Sequence, residues 1–486
     1  MSNVSDSSSF TNISTGVSAD GTPLIPSSYE VDKCELTNQF GDTVDIYKNV
    51  ISISVVSELY SPVITCKVRI RDNINLFEDF RISGHEKLKL RIRKKDTPPE
   101  DTGGEGLILD LIVREYPDFS KTGESINVQE YDMIAVSSWA YINRMKKISR
   151  SVSGDVADLI KDVFKKDLAF SDDDFMDDSN DVFKCNVNFK GIITKQHPVN
   201  AVEFLRKKAY DTNGSPFFVY SLSNDNKIQI KSWSTIRDIN NKIYPEPDGS
   251  RPYHYKPFET KKPDDPEYNK SLKQKIISIS SNIKLNKLQQ AEDGGFGNVL
   301  EVFDFNSKTF SPKIYEGEKD ELELSDEKVG KGAIFNKELN ERIKLSNNLF
   351  EVQPFDHLRG LHDFKTSDIT DSSTYQLYVP PLPYEGSNDE NAATIYEKNI
   401  QKTRLFAANL EAVTHNIVVY GDFLLNPGVK IKIKIPKAGD PDEAENKNSD
   451  DFDESLSGKY IISVVSHNFT NGVHTSQLKL IKDIDY

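Results

Sequence analysis

Long apolar runs are missing from this chain: no stretch reaches the roughly 18 apolar residues needed to cross a bilayer as a helix. Nor does the N-terminus show a basic segment followed by an apolar one, so the expectation is a chain made in the cytosol, carrying no classical export signal and meeting no membrane. Cysteine is scarce. Cys34, Cys66 and Cys185 are scattered without a CxxC or any paired spacing, which argues against a disulfide framework or a zinc site and fits a reducing compartment. An excess of positive charge is also missing: 61 Lys and Arg face 76 Asp and Glu, for a formal charge of −15. With no long basic block, a tight or sequence-specific grip on nucleic acid is not expected. An acidic conduit that a polyanion passes through without sticking stays compatible with that balance.

Catalytic signatures are absent too. There is no GxSxG, no P-loop and no dinucleotide fingerprint. The glycine cluster "DGGFGN" at 293 to 298 misses the GxGxxG spacing and joins two strand patterns, so it reads as a turn. His357 and His362 in "DHLRGLH" would stand about 140° apart on a helix, too far round to share a metal as HExxH does. The acidic run "SDDDFMDDSND" at 171 to 181 lacks the glycine and the distal Glu of an EF-hand loop. No catalytic, cofactor-binding or metal-ligating residue is assigned, no cofactor is expected, and the chain is read as a non-enzyme.

What the chain does have is alternation. At 486 residues it should hold three or four domains of about 150 residues each, and its 37% hydrophobic and 10% aromatic content is globular. Residues 1–30 form a Ser/Thr-rich arm with too little apolar surface to order alone. From 31 to 136 the pattern is β: in "SPVITCKVRIRDN" and in "SGHEKLKLRIRKKD" apolar residues alternate with polar ones, and "EGLILDLIVREYPDFSKTGESINVQEYDMIAV" reads as a hairpin with its tip near Ser120 to Ser125. An α+β domain follows at 137–240. Its first helix places Val156, Leu159, Ile160, Val163 and Phe164 on one face, with Ser153 or Asp155 as N-cap. A second helix starts at Pro198 with Gly214 as its stop, and a hairpin turns at Asn224 to Asn226. Six prolines mark a connection at 241–271. Strands resume at 272–310, an irregular insertion at 311–409 ends in a helix carrying Ile395, Ile400 and Leu405, and strands return at 410–486.

The end of the chain repeats the order of its beginning. In "NPGVKIKIKIPK", Val429, Ile431, Ile433 and Ile435 alternate with Lys430, Lys432 and Lys434; in the earlier block Leu88, Leu90 and Ile92 alternate with Lys87, Lys89, Arg91 and Arg93. Each block is followed by a hairpin, Leu107 to Ile134 in one case and Tyr460 to Ile481 in the other. This points to a duplicated unit. The fold class expected is mainly β with an α+β insert: two antiparallel β-barrels, an α+β domain and an irregular insertion. The second barrel is split between 272–310 and 410–486. The seven basic side chains of the matched strands face away from their cores and are the candidate interaction surface.

The residues "YGDFLLNPGVKIKIKI", "GKYIISVVSHNFTNG", "GGFGNVLEVFDFNSKTF" and "SPVITCKVRIRDN…SGHEKLKLRIR" carry a resemblance over nearly the whole chain beyond residue 30. It resembles the central baseplate hub proteins of contractile-tailed phages and their relatives in type VI-like and other contractile injection systems. The resemblance implies tube-type barrels and a homotrimer in which three chains form a pseudo-six-fold ring. That ring would join the six-fold tail tube to a three-fold central spike and leave a channel for DNA. It further implies as neighbours a spike protein below, a tube or tube-initiator protein above, baseplate wedge proteins and a candidate tape measure protein. It also implies a place in the virion tail baseplate after assembly in the host cytoplasm. Lys87, Lys89, Arg91, Arg93, Lys430, Lys432 and Lys434 would then face the lumen or a neighbouring subunit. No oligonucleotide-type barrel or β-helix follows the last strands, so the spike is expected to be a separate chain. The insertion and the acidic loop after Ile435 depart from the compact pattern of the family. From another class, a tail-associated peptidoglycan hydrolase is the alternative, and a glycan-binding surface protein is a third.

Overall fold

The computed structural model describes residues 27–95, 106–121, 128–176, 185, 187–212, 214–224, 227–237, 243–244, 253–255, 274–283, 297–304, 308–316, 376–378, most of 399–437 and most of 452–482. The rest of the N-terminal arm, the His357 and His362 pair, residues 177–181 of the acidic run, nearly all of the insertion and most of the acidic loop lie outside the described residues.

The architecture is mainly β, and the alternation seen in the sequence explains why. In the strand Ser61–Asp72, Ile64, Cys66, Val68 and Ile70 are buried while Lys67, Arg69 and Arg71 are exposed, as a two-residue side-chain period requires. Five strands lie side by side and antiparallel in the order Val50–Glu58, Ser61–Asp72, Gln129–Ser137, Gly106–Glu115, Lys87–Lys94. Tyr29–Thr37 then flanks the last of them. This curled sheet closes over one core that takes residues from every one of these strands, including Leu36, Val55, Val68, Leu90, Leu109 and Met133.

A second set repeats the arrangement: Ile276–Ile283, Val413–Tyr420, Val473–Lys482, Gly458–Thr470, Lys430–Lys434, again in that order and again antiparallel. The register repeats as well. Thr65 faces Val136 as Thr414 faces Ile481, and Ile70 faces Tyr131 as Val419 faces Ser476. Bulges fall at matching points, between Val50 and Ser52 and between Ile276 and Ser278, then between Val113 and Glu115 and between Ile462 and Val464. A bulge is a specific local device that re-aims a strand, so matched bulges mark these as two copies of one unit. Val413, Ile417, Ile431, Ile433, Val465, Leu478 and Leu480 fill the second core.

The two copies are welded into one sheet of fifteen strands. Beyond its pairing with Lys430–Lys434, the long strand Gly458–Thr470 runs on and pairs with Val50–Glu58, from Val464 opposite Glu58 to Thr470 opposite Ser52. Phe423 and Phe469 of the second copy reach into the core of the first.

Between the copies in sequence lies the α+β domain, with helices Ser138–Met145, Val156–Leu168 and Pro198–Arg206, an antiparallel pair Ile148–Asp155 with Asn188–Gln196, and a hairpin Phe217–Ser221 with Ile228–Ser232. Asp155 caps the middle helix, accepting from Ala157 N–H at 2.8 Å and Asp158 N–H at 3.3 Å. Pro198 opens the next helix as expected, yet that helix stops at Arg206 and does not run on to Gly214. Gly214, with φ of 83°, instead serves the turn in which Ser215 N–H bonds the Asp211 carboxylate. Leu59, Phe218, Tyr220, Trp233, Ile236, Phe406, Leu410, Ile461 and Ile481 form one apolar cluster where the domain and both copies meet. Of the stretch 272–310 given to the second barrel, Ile276–Ile283 joins the long sheet. Gly297–Asp304 pairs instead with Thr309–Glu316 and Gln376–Tyr378 in a separate sheet.

Candidate assembly surface

The seven basic residues of the matched strands do not share one environment. Lys87, Lys89 and Arg91 are exposed, as their alternation with buried Leu88, Leu90 and Ile92 demands. Lys89 stands in register between Glu35 and Asp110 on the neighbouring strands, and a small pocket here is lined by Lys33, Lys89, Arg91, Ile108 and Asp110. Arg93, at the strand's end, is half-buried and held by the carboxylates of Asp32 at 2.8 Å and Glu30.

In the second copy the outer edge of the equivalent strand is taken by short segments of the same chain. Two short parallel segments, Ile243–Tyr244 and Tyr253–His254, pair with Lys430–Lys434. Lys430 is only 6% exposed, and its ammonium donates to the carbonyl oxygen of Arg237. Lys432 and Lys434 are half-buried, the latter with its ammonium 4.5 Å from the centre of the Phe452 ring, a cation–π contact.

A further charged surface, which the sequence reading did not single out, lies on the outer face of the first copy. Lys67 reaches Asp132 at 2.7 Å, Arg71 reaches Glu130 at 2.7 Å, and Arg69 bridges both acids at 3.5 and 3.6 Å. The arginines beside Glu130, Arg71 foremost, hold its carboxyl below the ordinary range. The signal was present as the Lys67, Arg69, Arg71 alternation. Its partners came from the far strand of a hairpin, which periodicity alone does not reveal.

The seam between the copies carries its own polar chemistry. Ser54 Oγ and Ser466 Oγ meet at 3.1 Å across it. Buried beside it, His467 Nδ1 and His474 Nε2 are 3.0 Å apart, with Ser476 Oγ 3.2 Å from His467 Nδ1. Phe469 and Phe423 pack on the His474 ring with centroids 4.4 and 4.6 Å away. Burial pushes the His467 imidazole down to about 4 and lowers His474 as well, so both are neutral at pH 7. Buried His415, pushed down to about 4 by that burial, bonds exposed Ser281 Oγ at 2.8 Å and the Tyr460 Oη of the second core at 2.9 Å.

The thiols are poor nucleophiles: burial pushes Cys34 up to about 12 and Cys185 up to about 11, and raises Cys66. Among the described residues no three His, Cys, Asp or Glu side chains converge as a metal site, and no helix is long and apolar enough to cross a membrane. The geometry supplies extended strand edges, ion-pair lattices and a sealed seam, which are means of holding surfaces together.

No family model matches the sequence, and no curated protein matches it. Several solved structures are similar to the chain at low sequence identity. A tail protein from Neisseria meningitidis MC58 is similar over 94% of this chain and 97% of its own, at 12% identity and a TM-score of 0.47. The 43 kDa tail protein of prophage MuSo2 from Shewanella oneidensis is similar over 93% and 98%, at 8% identity and a TM-score of 0.46. The c3393 protein of E. coli, a type VI secretion component described as similar to T4 bacteriophage tail proteins, is similar over 94% and 78%, at 8% identity and a TM-score of 0.41.

Proposed function

We propose that this chain is a structural, non-catalytic hub of a contractile phage tail baseplate. Three copies would form a ring of six barrels that joins the six-fold tail tube to a three-fold central spike and leaves a channel for DNA. The observation that carries this reading is the tandem of barrels with one strand order and one register, joined edge to edge within a single chain. Two near-equivalent units per chain let a three-fold assembly present six-fold contacts on one side. A closed ring also leaves no open sheet edge. Exposed Lys87, Lys89 and Arg91 would face the lumen or a neighbouring subunit. The surplus of acidic groups would keep DNA from sticking to the conduit.

Light scattering on the full-length protein, alone and with the spike protein encoded nearby, tests the reading. A trimer of about 165 kDa, three times the 55.0 kDa chain, with six lobes in images along its axis, is the expected result. A chain that stays monomeric with the spike present would overturn it.

A further inference from the structure

The seam inside the chain specifies what a seam between chains would look like. Within the chain, the free edge of Val50–Glu58 is taken by the run-on half of Gly458–Thr470. The counterpart of Val50–Glu58 in the second copy is Ile276–Ile283, which pairs with Val413–Tyr420 on one side. Among the described residues nothing pairs with its other side. The counterpart of the run-on half of Gly458–Thr470 is the chain leaving Gly106–Glu115, residues 115 to 121. Its Ser120 and Lys121 pair with Glu130 and Gln129 on one side, and nothing among the described residues pairs with the other. The two edges left open are therefore the counterparts of the two edges that the chain joins to each other.

We propose that residues 115 to 121 of one copy dock on the outer edge of Ile276–Ile283 of a second copy, so that the within-chain seam is repeated between chains. This rests on the ring reading above and names its intermolecular contact. The register follows from the internal equivalence. Asn468 faces Thr475 in its hairpin and Ser54 across the seam. Ser120 faces Glu130, the counterpart of Thr475, while Ser280 is the counterpart of Ser54. Ser120 thus comes opposite Ser280 of the neighbour, and Tyr116 opposite Ile283. Pro117 offers no N–H and Asp118 has φ of 59°, so the ladder divides into two short pieces around them. Both edges are exposed and carry apolar side chains for burial: Phe119 is 50% exposed and Ile283 39%. Unpaired edges of this kind are templates for strand addition.

The test is a cysteine pair, Ser120→Cys with Ser280→Cys, in the full-length chain under mild oxidation. A second pair, Ser54→Cys with Asn468→Cys, placed at the equivalent positions of the internal seam, reports that the fold and the chemistry are intact by cross-linking within one chain. The expected result is a ladder of covalent dimers and trimers, with a peptide joining position 120 to position 280. A trimer by light scattering without that link, while the internal pair does close, would overturn the proposed seam and leave the ring reading standing. A monomer with no link between chains, while the internal pair closes, would overturn both.

Discussion

The two barrels of this chain have one backbone plan and two chemistries. In the first core Val55, Cys66 and Leu111 meet. At the matching positions of the second stand exposed Ser281, buried His415 and buried Tyr460, with His415 bonded to both of the others. Outside, the first copy displays the lattice of Lys67, Arg69, Arg71, Glu130 and Asp132. The counterparts in the second are Asn416, Val418, Tyr420, Thr475 and Gln477, none of them charged. Lys87, Lys89 and Arg91 are exposed in the first copy, whereas Lys430 is buried and Lys432 and Lys434 half-buried in the second. Strand order and register therefore tolerate wholesale exchange of side chains provided the alternation is kept, and each copy is free to serve a different neighbour.

The comparison breaks most visibly in the cores. Leu90→Ala in the first copy and its equivalent Ile433→Ala in the second should each cost about 2–5 kcal/mol, read from urea unfolding. Because the seam makes one continuous sheet, both variants should still unfold in a single transition. Two separated transitions would show that the copies are independent.

Charge reversal of the basic strand comes next. Lys430→Glu would place an unpaired carboxylate where an ammonium now donates to the Arg237 carbonyl, and should cost about 4 kcal/mol. Lys87→Glu on the exposed counterpart should stay within about 0.5 kcal/mol. Equal effects would mean the two faces are less different than their burial.

Acid should act on the second copy and its seam. His415 is neutral when folded, at about 4, but binds a proton near 6.5 when unfolded. Its contribution is complete above pH 6.5 and is lost as the pH falls toward 4, at about 1.4 kcal/mol per pH unit. Transplanting the first copy's core, Ser281→Val with His415→Cys and Tyr460→Leu, should remove that share of the acid sensitivity in a melting series from pH 7 to pH 4. The His467 and His474 share would remain.

The smallest effect concerns the outer lattice. Asp132→Asn should cost about 1 kcal/mol and do so less in high salt, since Lys67 and Arg69 are partly exposed. Gln477→Asn, its counterpart, should be neutral.

Much of this was legible in the amino acids. Alternation placed Leu88, Leu90 and Ile92 inside and Lys87, Lys89 and Arg91 outside, and the matched hairpins revealed the duplication. A plainer mark of it went unread: Ile51-Ser52-Ile53-Ser54 recurs as Ile277-Ser278-Ile279-Ser280 on equivalent strands. Alternation says which side chains share a face but not what lies across from that face, so the burial of Lys430 against the Arg237 carbonyl was invisible. For the same reason Gly297–Asp304 read correctly as a strand and was given to the wrong sheet. The helix Ser138–Met145 was missed: it is only eight residues long, and its apolar Tyr141, Ile142 and Met145 are exposed while Trp139 alone is buried.

The internal seam also has a consequence in time. Ser54 and Ser466, which touch across it, are 412 residues apart in the chain. At the usual pace of synthesis the strand that seals Val50–Glu58 leaves the ribosome roughly 20 to 80 s after that edge is made. Throughout that interval the first barrel waits with one side open, on polysomes crowded with identical nascent edges. An open strand edge is a template for pairing whatever its side chains, so the order of the chain itself sets the interval in which that edge can take the wrong partner.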